Sequence, residues 1–252
     1  MNNRKFPAEA AELQRVHQES YYATTAAKYD DMHVDSEGEH AFALHYLSAV
    51  VDHYQINTIL DVGAGTGRVA RFFNGHPRVS VTSIEPVAEL RNIGHQNGLS
   101  KSDLLSGDAT CLVFADREFD LVCEFGALHH IQKPDAAVRE MLRVAKVGIF
   151  ISDCNNFGHG SIISRWLKQF LDACGLWKLA VVLKTGGKGY TISEGDGLAY
   201  SYSVYNNYDQ IKRHCDVYVL NTAPAAVNPY RSASHVALLG IKHEFTKNKP
   251  SN

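Results

Sequence analysis

The sequence lacks the features that mark disulfide-rich, zinc-binding and membrane-spanning proteins. Its five cysteines form no C-x-x-C pair, so neither a disulfide framework nor a zinc site is expected. No apolar run approaches the roughly 20 residues that a membrane-spanning helix needs. Residues 1–14 are also too polar for a signal peptide. We therefore expect a cytoplasmic protein that has no membrane partner.

A large charge of one sign is also missing. The 25 Lys and Arg residues nearly balance the 27 Asp and Glu residues, so the formal net charge is only −2. Because nucleic-acid binding depends on an excess of basic side chains that neutralise phosphates, nucleic acid is not an expected partner. The length of 252 residues and the hydrophobic content of 45% suit one large α/β domain.

The most informative stretch, TILDVGAGTGRV, covers residues 58–69. Its apolar, β-branched beginning predicts a buried parallel strand. Gly63, Gly65 and Gly67 then predict a tight turn where a ligand can approach the backbone. The spacing differs from the G-x-G-x-x-G of dinucleotide-binding turns, and Asp61 ahead of the first glycine disfavours a phosphate and suits a cation. A tight turn that binds no ligand is the alternative.

A second acidic residue supports a nucleoside site. Glu85 follows a predicted strand over residues 79–84. An acid about 20 residues beyond such a turn, at the end of the second strand, can accept hydrogen bonds from both ribose hydroxyls. Over residues 58–153 predicted strands and helices alternate, which predicts an α/β fold with a doubly wound, mostly parallel sheet.

The chain resembles class I S-adenosylmethionine-dependent methyltransferases, and in particular bacterial small-molecule and sugar O-methyltransferases. The residues that carry the resemblance are 60–67, Glu85, 107–109, 119–122, 129–130 and 139–144. The resemblance implies a Rossmann-like sheet of seven strands, in which residues 216–220 and 235–242 form the last two strands as an antiparallel pair. It also implies S-adenosyl-L-methionine as the cofactor.

The resemblance further implies which residues bind this cofactor. They are Tyr29, Asp61, Gly63, Ala64, Gly65, Gly67, Glu85, Pro86, Asp108, Ala109 and Glu124. In the family an aspartate in the position of Asp108 contacts the adenine amino group. A simple cap on a turn is the alternative role for Asp108.

The whole chain is predicted to form one domain with four parts. These parts are an N-terminal helical cover (1–55), a cofactor-binding core (56–155), an insertion after the fifth strand (156–215) and the last two strands (216–245). In the cover, residues 30–40 are expected to form a loop between two helices. In the insertion, residues 185–208 are rich in glycine and tyrosine, which favours either a mobile lid over the site or a solvated loop.

The candidate catalytic residues are His129, His130 and Asp153. The histidines follow the fourth predicted strand and Asp153 follows the fifth, so neighbouring strands bring an imidazole and a carboxylate to the same edge of the sheet. The resembled O-methyltransferases use such a histidine and such an aspartate. The sequence does not separate the two histidines, and one of them could be structural. Asp153 and Asn155 also permit a magnesium site, but Cys154 separates them and no metal is expected.

These observations predict methyl transfer from S-adenosylmethionine to a small polar acceptor, most simply a hydroxyl of a sugar or secondary metabolite. A small-molecule N-methyltransferase and a non-catalytic S-adenosylmethionine-binding protein are the alternatives. The glycine spacing disfavours a nicotinamide oxidoreductase. The Asn-Pro-Tyr sequence at residues 228–230 resembles a base-gripping motif of nucleic-acid methyltransferases, but it lies far from the fourth strand, so we predict a turn there.

Overall fold

A seven-stranded sheet forms the centre of the computed structural model, which describes residues 6–34, 37–224 and 228–247. The strands of the chain are β1 (Thr58–Val62), β2 (Ser80–Ile84), β3 (Leu104–Leu105), β4 (Phe119–Phe125), β5 (Ala145–Cys154), β6 (Tyr190–Ser193), β7 (Gly197–Tyr200), β8 (Cys215–Asn221) and β9 (His235–Lys242). The central sheet has the order β3-β2-β1-β4-β5-β9-β8. β1 to β5 are parallel, and β9 lies antiparallel between β5 and β8. This arrangement confirms the predicted doubly wound, mostly parallel sheet and its final antiparallel pair.

Helices cover both faces of this sheet. They are α1 (Phe6–Thr25), α2 (Tyr29–His33), α3 (Glu39–Tyr54), α4 (Arg68–Phe72), α5 (Ala88–Gln96), α6 (Pro134–Val144), α7 (Ile162–Ala173), α8 (Trp177–Lys184), α9 (Tyr208–Lys212) and α10 (His243–Lys247). Short 3₁₀ helices occupy Ala26–Lys28, Leu128–His130, Asn156–Gly158 and Val204–Asn207. Among the helices of the described residues, none combines the length and the apolar composition that crossing a membrane requires.

The central strands are buried on both faces, as is usual for parallel strands. One face packs against α6, whose apolar residues Val138, Met141 and Leu142 follow the spacing of an amphipathic helix. The other face packs against α3 through Leu47 and Val51. This packing holds the carboxyl ends of β1, β4 and β5 side by side at one edge of the sheet.

Two predictions about local structure are wrong. Residues 30–33, predicted in a loop, belong to α2, where Asp30 and Asp31 occupy the first turn and interact favourably with the helix dipole. The sequence of residues 104–109 predicts a third strand over that whole range, but β3 ends at Leu105. Beyond it, the Asp108 carboxylate accepts a hydrogen bond from the backbone N–H of Thr110 at 2.7 Å and closes a turn.

The insertion is more ordered than its composition predicts. Residues 190–200 form a hairpin of β6 and β7. Tyr202, within the range predicted as a lid or solvated loop, is buried in the core, and its hydroxyl donates to Asn207 Oδ1 at 2.9 Å. The hairpin contacts α1, because the Tyr200 hydroxyl donates to Gln14 Oε1 at 2.7 Å. The N-terminal helix and the hairpin therefore meet above the carboxyl edge of the sheet, and movement of the hairpin as a lid stays a prediction.

Candidate active site

The glycine turn between β1 and α4 leaves no room for side chains. Gly63, Gly65 and Gly67 have φ angles of 73°, 57° and 87°, a region that other residues rarely occupy. A Cβ atom added at Gly65 would lie 2.5 Å from the Tyr29 hydroxyl oxygen. The Gly63 and Ala64 backbone N–H groups donate to Ile84 O at 2.9 and 3.0 Å. Tyr29 from the N-terminal cover thus packs directly on the turn, and its contact with the cofactor stays a prediction.

Glu85 holds the glycine turn in place. It is buried at the end of β2, where its Oε2 accepts from Gly65 N at 3.0 Å and its Oε1 accepts from Val87 N at 2.9 Å. Burial raises the pKa of Glu85 to about 7. A carboxylate offers about four lone-pair positions, so two hydrogen bonds leave capacity for a diol. Binding of ribose by Glu85 stays a prediction.

Two buried acids carry unpaired oxygen atoms. Asp61 Oδ2 and Glu124 Oε1 have no hydrogen-bond partner among residues 6–34, 37–224 and 228–247. Burial raises the pKa of Asp61 to about 7, although Arg68 lowers it in part. Burial, followed by the nearby Asp153, raises the pKa of Glu124 well above its usual range.

An unpaired buried acid is costly, and a ligand that supplies a cation or hydrogen-bond donors removes that cost. A small cavity lies at this point of the turn, lined by residues that include Tyr29, Asp61, Ala64, Arg68 and Phe125. The ammonium and sulfonium groups of S-adenosylmethionine are positively charged, so they are suited to pair with these two acids. The residues therefore fit this cofactor.

The remaining predicted cofactor residues lie around the next two loops. Pro86 is exposed directly after β2, and Ala109 is half-buried beyond β3. Asp108 is exposed, and its Oδ1 accepts from both the backbone N–H and the hydroxyl of Thr110 at 2.7 Å. This geometry is that of a turn cap, which was the alternative role for Asp108. The adenine contact of Asp108 and Ala109 stays a prediction.

His129 and Asp153 are in direct contact. His129 Nδ1 lies 2.6 Å from Asp153 Oδ1, and the His129 backbone N–H donates to Asp153 Oδ2 at 3.2 Å. Asp153 lies within β5 rather than beyond it, and it is fully buried. Burial alone would raise the pKa of Asp153, but the neighbouring His129 outweighs it and lowers the pKa to about 2. Asp153 is therefore ionised and orients the imidazole.

His130 has different partners. Its Nδ1 lies 2.7 Å from Leu198 O, and its Nε2 lies 2.9 Å from the Tyr22 hydroxyl. Gln18 Nε2 also lies 3.0 Å from His130 Nδ1, and Asp196 Oδ1 lies 3.3 Å from His130 Nε2. Burial, followed by the charge of His129, lowers the pKa of His130. The contact with Asp153 thus distinguishes His129 from His130, which the sequence could not do.

Asp196 is the residue that the sequence analysis missed. It lies in the turn between β6 and β7, and its carboxylate oxygens are 3.3 Å from His129 Nε2 and 3.3 Å from His130 Nε2. Burial lowers the pKa of His129, but Asp153 and Asp196 outweigh burial and raise it well above its usual range. The only signal in the sequence was an acid within the Glu-Gly-Asp-Gly turn, residues 194–197, and nothing local connects it to a histidine 66 or more residues away.

Metal ligands are also available at this point. His129, His130 and Asp196 offer one donor atom each within 4.8 Å of one another, and so do His129, Asp153 and Cys154. Nitrogen and carboxylate donors of this kind suit zinc and similar ions. The absence of a bound metal stays a prediction.

Asn155 was considered with Asp153 as a magnesium ligand, but its side chain makes hydrogen bonds to other residues. Its amide donates to Tyr230 O at 2.8 Å and to Ala233 O at 2.9 Å, and its Oδ1 accepts from the Ser203 hydroxyl at 2.8 Å. These bonds fix the turn that contains residues 228–230, as predicted for the Asn-Pro-Tyr sequence. Asn155 is therefore a structural residue.

Comparisons with known proteins agree with this geometry. Residues 60–151 match the methyltransferase domain family. A demethylmenaquinone methyltransferase of Thermobifida fusca is 32% identical over 145 residues, which cover 55% of this chain and 60% of the relative. A ubiquinone/menaquinone biosynthesis C-methyltransferase of Xylella fastidiosa is 26% identical over 159 residues, which cover 60% of this chain and 62% of the relative. The chain thus spans about three fifths of the length of these curated relatives.

The fold is also that of a solved methyltransferase. The crystal structure of an S-adenosylmethionine-dependent methyltransferase from Thermotoga maritima aligns with a TM-score of 0.58, covering 88% of this chain and 99% of that chain. The sequence identity of 15% means that this likeness concerns the fold alone. The family match covers the glycine turn and the strand ends that form the site. Residues 60–151 therefore resemble the methyltransferase domain family, and the seven-stranded sheet has the class I, Rossmann-like methyltransferase fold.

Proposed function

We propose that the protein transfers a methyl group from S-adenosylmethionine to a hydroxyl of a small polar acceptor, such as a sugar or secondary metabolite. The observation that carries this proposal is the 2.6 Å contact between His129 and Asp153 at the edge where β4 and β5 end. A hydroxyl is a weak nucleophile until it loses its proton. An imidazole that is oriented by a carboxylate at this edge is suited to take that proton.

The cofactor supplies an activated methyl group, and the chain positions it. Asp61 and Glu124 would pair with its charged and hydrogen-bonding groups, and Glu85 would accept its ribose hydroxyls. Alignment of the acceptor with the methyl group can supply about 7–11 kcal/mol of the barrier reduction. The base adds about 10²–10⁴ in rate. Positioning is therefore the larger contribution.

Asp196 must change its partner during turnover. It now lies 3.3 Å from His129 Nε2, the atom that would accept the proton from the acceptor. The acceptor would take the place of this carboxylate, and the β6–β7 hairpin that carries Asp196 would move to admit it. Until then, the two carboxylates favour the protonated form of His129, which cannot act as a base. This arrangement supports the lid role of residues 185–208.

Methylation of a ring carbon in a quinone-related acceptor is the second candidate. The relatives from Thermobifida fusca and Xylella fastidiosa carry the names demethylmenaquinone methyltransferase and ubiquinone/menaquinone biosynthesis C-methyltransferase. Removing the proton from a ring hydroxyl places negative charge on the neighbouring ring carbons, so His129 would serve this reaction as well. Methylation of an amine is a third candidate, in which a neutral amine needs no strong base.

Methyl transfer with a ¹³C-labelled methyl group on the cofactor distinguishes these candidates. The acceptors are a panel of hydroxylated sugars and secondary metabolites, a hydroquinone that lacks the ring methyl group, and a panel of small amines. The ¹³C chemical shift of the product identifies oxygen, carbon or nitrogen as the methylated atom. We expect an O-methyl product and no effect of a chelator. Binding of S-adenosylhomocysteine without any methyl transfer would instead favour a non-catalytic binding protein.

If a chelator abolished the activity and a divalent metal restored it, a metal-assisted mechanism would replace the base mechanism. His129, His130 and Asp196 would then be the ligands to change first, since their donor atoms lie within 4.8 Å of one another.

A further inference from the structure

Helices α7 and α8 expose an apolar surface on the outside of the protein. Its largest members are Ile163, Trp166, Leu167, Phe170, Leu179 and Leu183, which are 56–81% exposed and which we call the α7–α8 face. Soluble monomeric proteins rarely leave a contiguous apolar patch of this kind in water, and such patches mark interaction sites.

The polar side of α7 faces the protein. Lys168 Nζ donates to His159 O at 2.8 Å, Gln169 Nε2 donates to Phe157 O at 3.2 Å, and Arg165 Nη1 donates to Ser232 O at 3.5 Å. A helix on the surface of a soluble protein normally has the opposite orientation, with its apolar stripe toward the core. The hydrogen bonds on the polar side hold α7 in this orientation, so the apolar residues are presented outward by the fold.

Basic side chains border the α7–α8 face. Residues 161–189 contain five Lys and Arg residues but one acid, in a chain whose net charge is −2. Lys178, Lys184 and Lys188 are exposed. The single acid, Asp172, is half-buried and accepts a hydrogen bond from the Tyr230 hydroxyl at 3.3 Å. The charge that this segment presents to a partner is therefore positive.

We propose that the α7–α8 face binds the surface of an anionic membrane. Apolar and aromatic side chains flanked by lysines are the composition of helices that lie in the plane of a membrane interface. A second copy of the chain is a poorer occupant, because a symmetric contact would bring the two sets of lysines together. This binding goes beyond the proposed methyl transfer and does not depend on it.

The expectation of no membrane partner rested on the lack of segments long enough to span a bilayer, whereas an interfacial helix needs only an apolar face. The α7–α8 face lies in the chain between Asp153 and Asp196, which are both at the site.

The test is sedimentation of the full chain with lipid vesicles. The vesicles contain either phosphatidylcholine alone or an equal mixture of phosphatidylcholine and phosphatidylglycerol, at low and high salt. We expect binding to the anionic vesicles, weakened by salt and at least tenfold weaker for phosphatidylcholine alone. The double variant Leu167→Glu/Phe170→Glu should lose this binding. Lys184→Ala should weaken it by roughly fivefold, the usual contribution of one lysine near an anionic surface.

Val113→Glu is the matched control, since Val113 is an apolar side chain with 87% exposure outside the α7–α8 face. It should leave vesicle binding unchanged. If the double variant fails to fold, brominated lipid replaces it as the test, because it should quench the Trp166 fluorescence of the unaltered protein. The Trp166→Phe variant is the reference for this measurement.

Equal sedimentation of the protein with and without anionic vesicles would overturn the proposal. So would a dimer in light scattering that Leu167→Glu dissociates while the vesicles bind nothing, because a second copy would then cover the face.

Discussion

The cofactor side of the site, around Glu85 and the glycine turn, differs from the acceptor side, around His129 and His130. The difference is the sequence separation of the residues that each side brings into contact. On the cofactor side, Glu85 bonds to Gly65, which is 20 residues away. On the acceptor side, His130 contacts Leu198 across 68 residues and Tyr22 across 108 residues. One strand–turn–helix unit and its neighbour supply most of the cofactor side, with Tyr29 of the N-terminal cover packed on the turn, whereas the acceptor side requires the N-terminal cover, the core and the insertion to meet.

This difference has a functional consequence. A cofactor site that depends on short-range contacts can stay the same while the acceptor side changes. In the described residues, the hydrogen bonds and ion pairs of the hairpin that carries Asp196 reach α1 and the two histidines and do not reach Glu85 or the glycine turn. Variants on the two sides should therefore separate cofactor binding from turnover.

The largest effect is expected from His129→Ala. Its turnover should fall by about 10²–10⁴, because the base is lost, while its affinity for S-adenosylhomocysteine should stay nearly unchanged. His130→Ala is the matched variant and should show a smaller loss, since His130 does not contact Asp153 in the described structure. The measurements are kcat at saturating acceptor and calorimetry. Near-normal turnover of His129→Ala, or an equal loss in cofactor affinity, would contradict the proposed roles.

The next effect concerns the cofactor side. Glu85→Ala should weaken the binding of S-adenosylmethionine by about 1.5–3 kcal/mol, as expected for lost charged hydrogen bonds. Asp108→Ala should cost less, because its exposed carboxylate already holds Thr110. Calorimetry on both variants gives the comparison. Unchanged affinity of Glu85→Ala would remove the ribose role, and a larger loss in Asp108→Ala would make Asp108 the main nucleoside contact.

Two glycine variants test how tightly Tyr29 covers the turn. Gly65 and Gly75 have φ angles of 57° and 84°, so alanine at either position costs about 1–2 kcal/mol in the left-handed region. Only the new Cβ at Gly65 would meet Tyr29, at 2.5 Å, whereas nothing lies within 4 Å of the one at Gly75. Gly65→Ala should therefore lower the free energy of unfolding by about 1 kcal/mol more than Gly75→Ala. Equal values in urea denaturation would mean that Tyr29 moves away freely.

The smallest effect is a shift in pH dependence. A neutral His129 is needed as base, so the rate should rise as the pH passes the pKa of His129. Asp196, after Asp153, raises that pKa through its charge and hydrogen bond. Asp196→Asn removes the charge, so the rising limb of the profile of kcat/KM against pH, which reports the free enzyme, should move to lower pH while the plateau changes little.

Glu194→Gln is the control for this variant, because it removes a charge from the same turn. A profile that moves equally in both variants, or in neither, would show that Asp196 does not set the pKa of His129.

Most strands of the core could be predicted from the sequence, because the patterns that indicate them lie within short segments of the chain. An apolar strand, a glycine turn and an acid at each strand end were enough to predict β1, β2, β4 and β5 and their parallel order. The errors occurred where the pattern was weak. Residues 30–33 are polar yet helical, and the hairpin of residues 190–200 is rich in glycine yet paired, because α1 packs against it and supplies bonding partners.

Local sequence determined the glycine turn of the cofactor site, since the backbone conformation at Gly63, Gly65 and Gly67 depends on the strand and turn that contain them. Tertiary structure alone decided that His129 pairs with Asp153 and that Asp196 reaches both histidines. It also decided that α7 turns its apolar face outward. Hydrophobic periodicity specifies that a helix has an apolar side, but the direction of that side depends on which distant carbonyls, such as His159 O, accept hydrogen bonds from its polar residues.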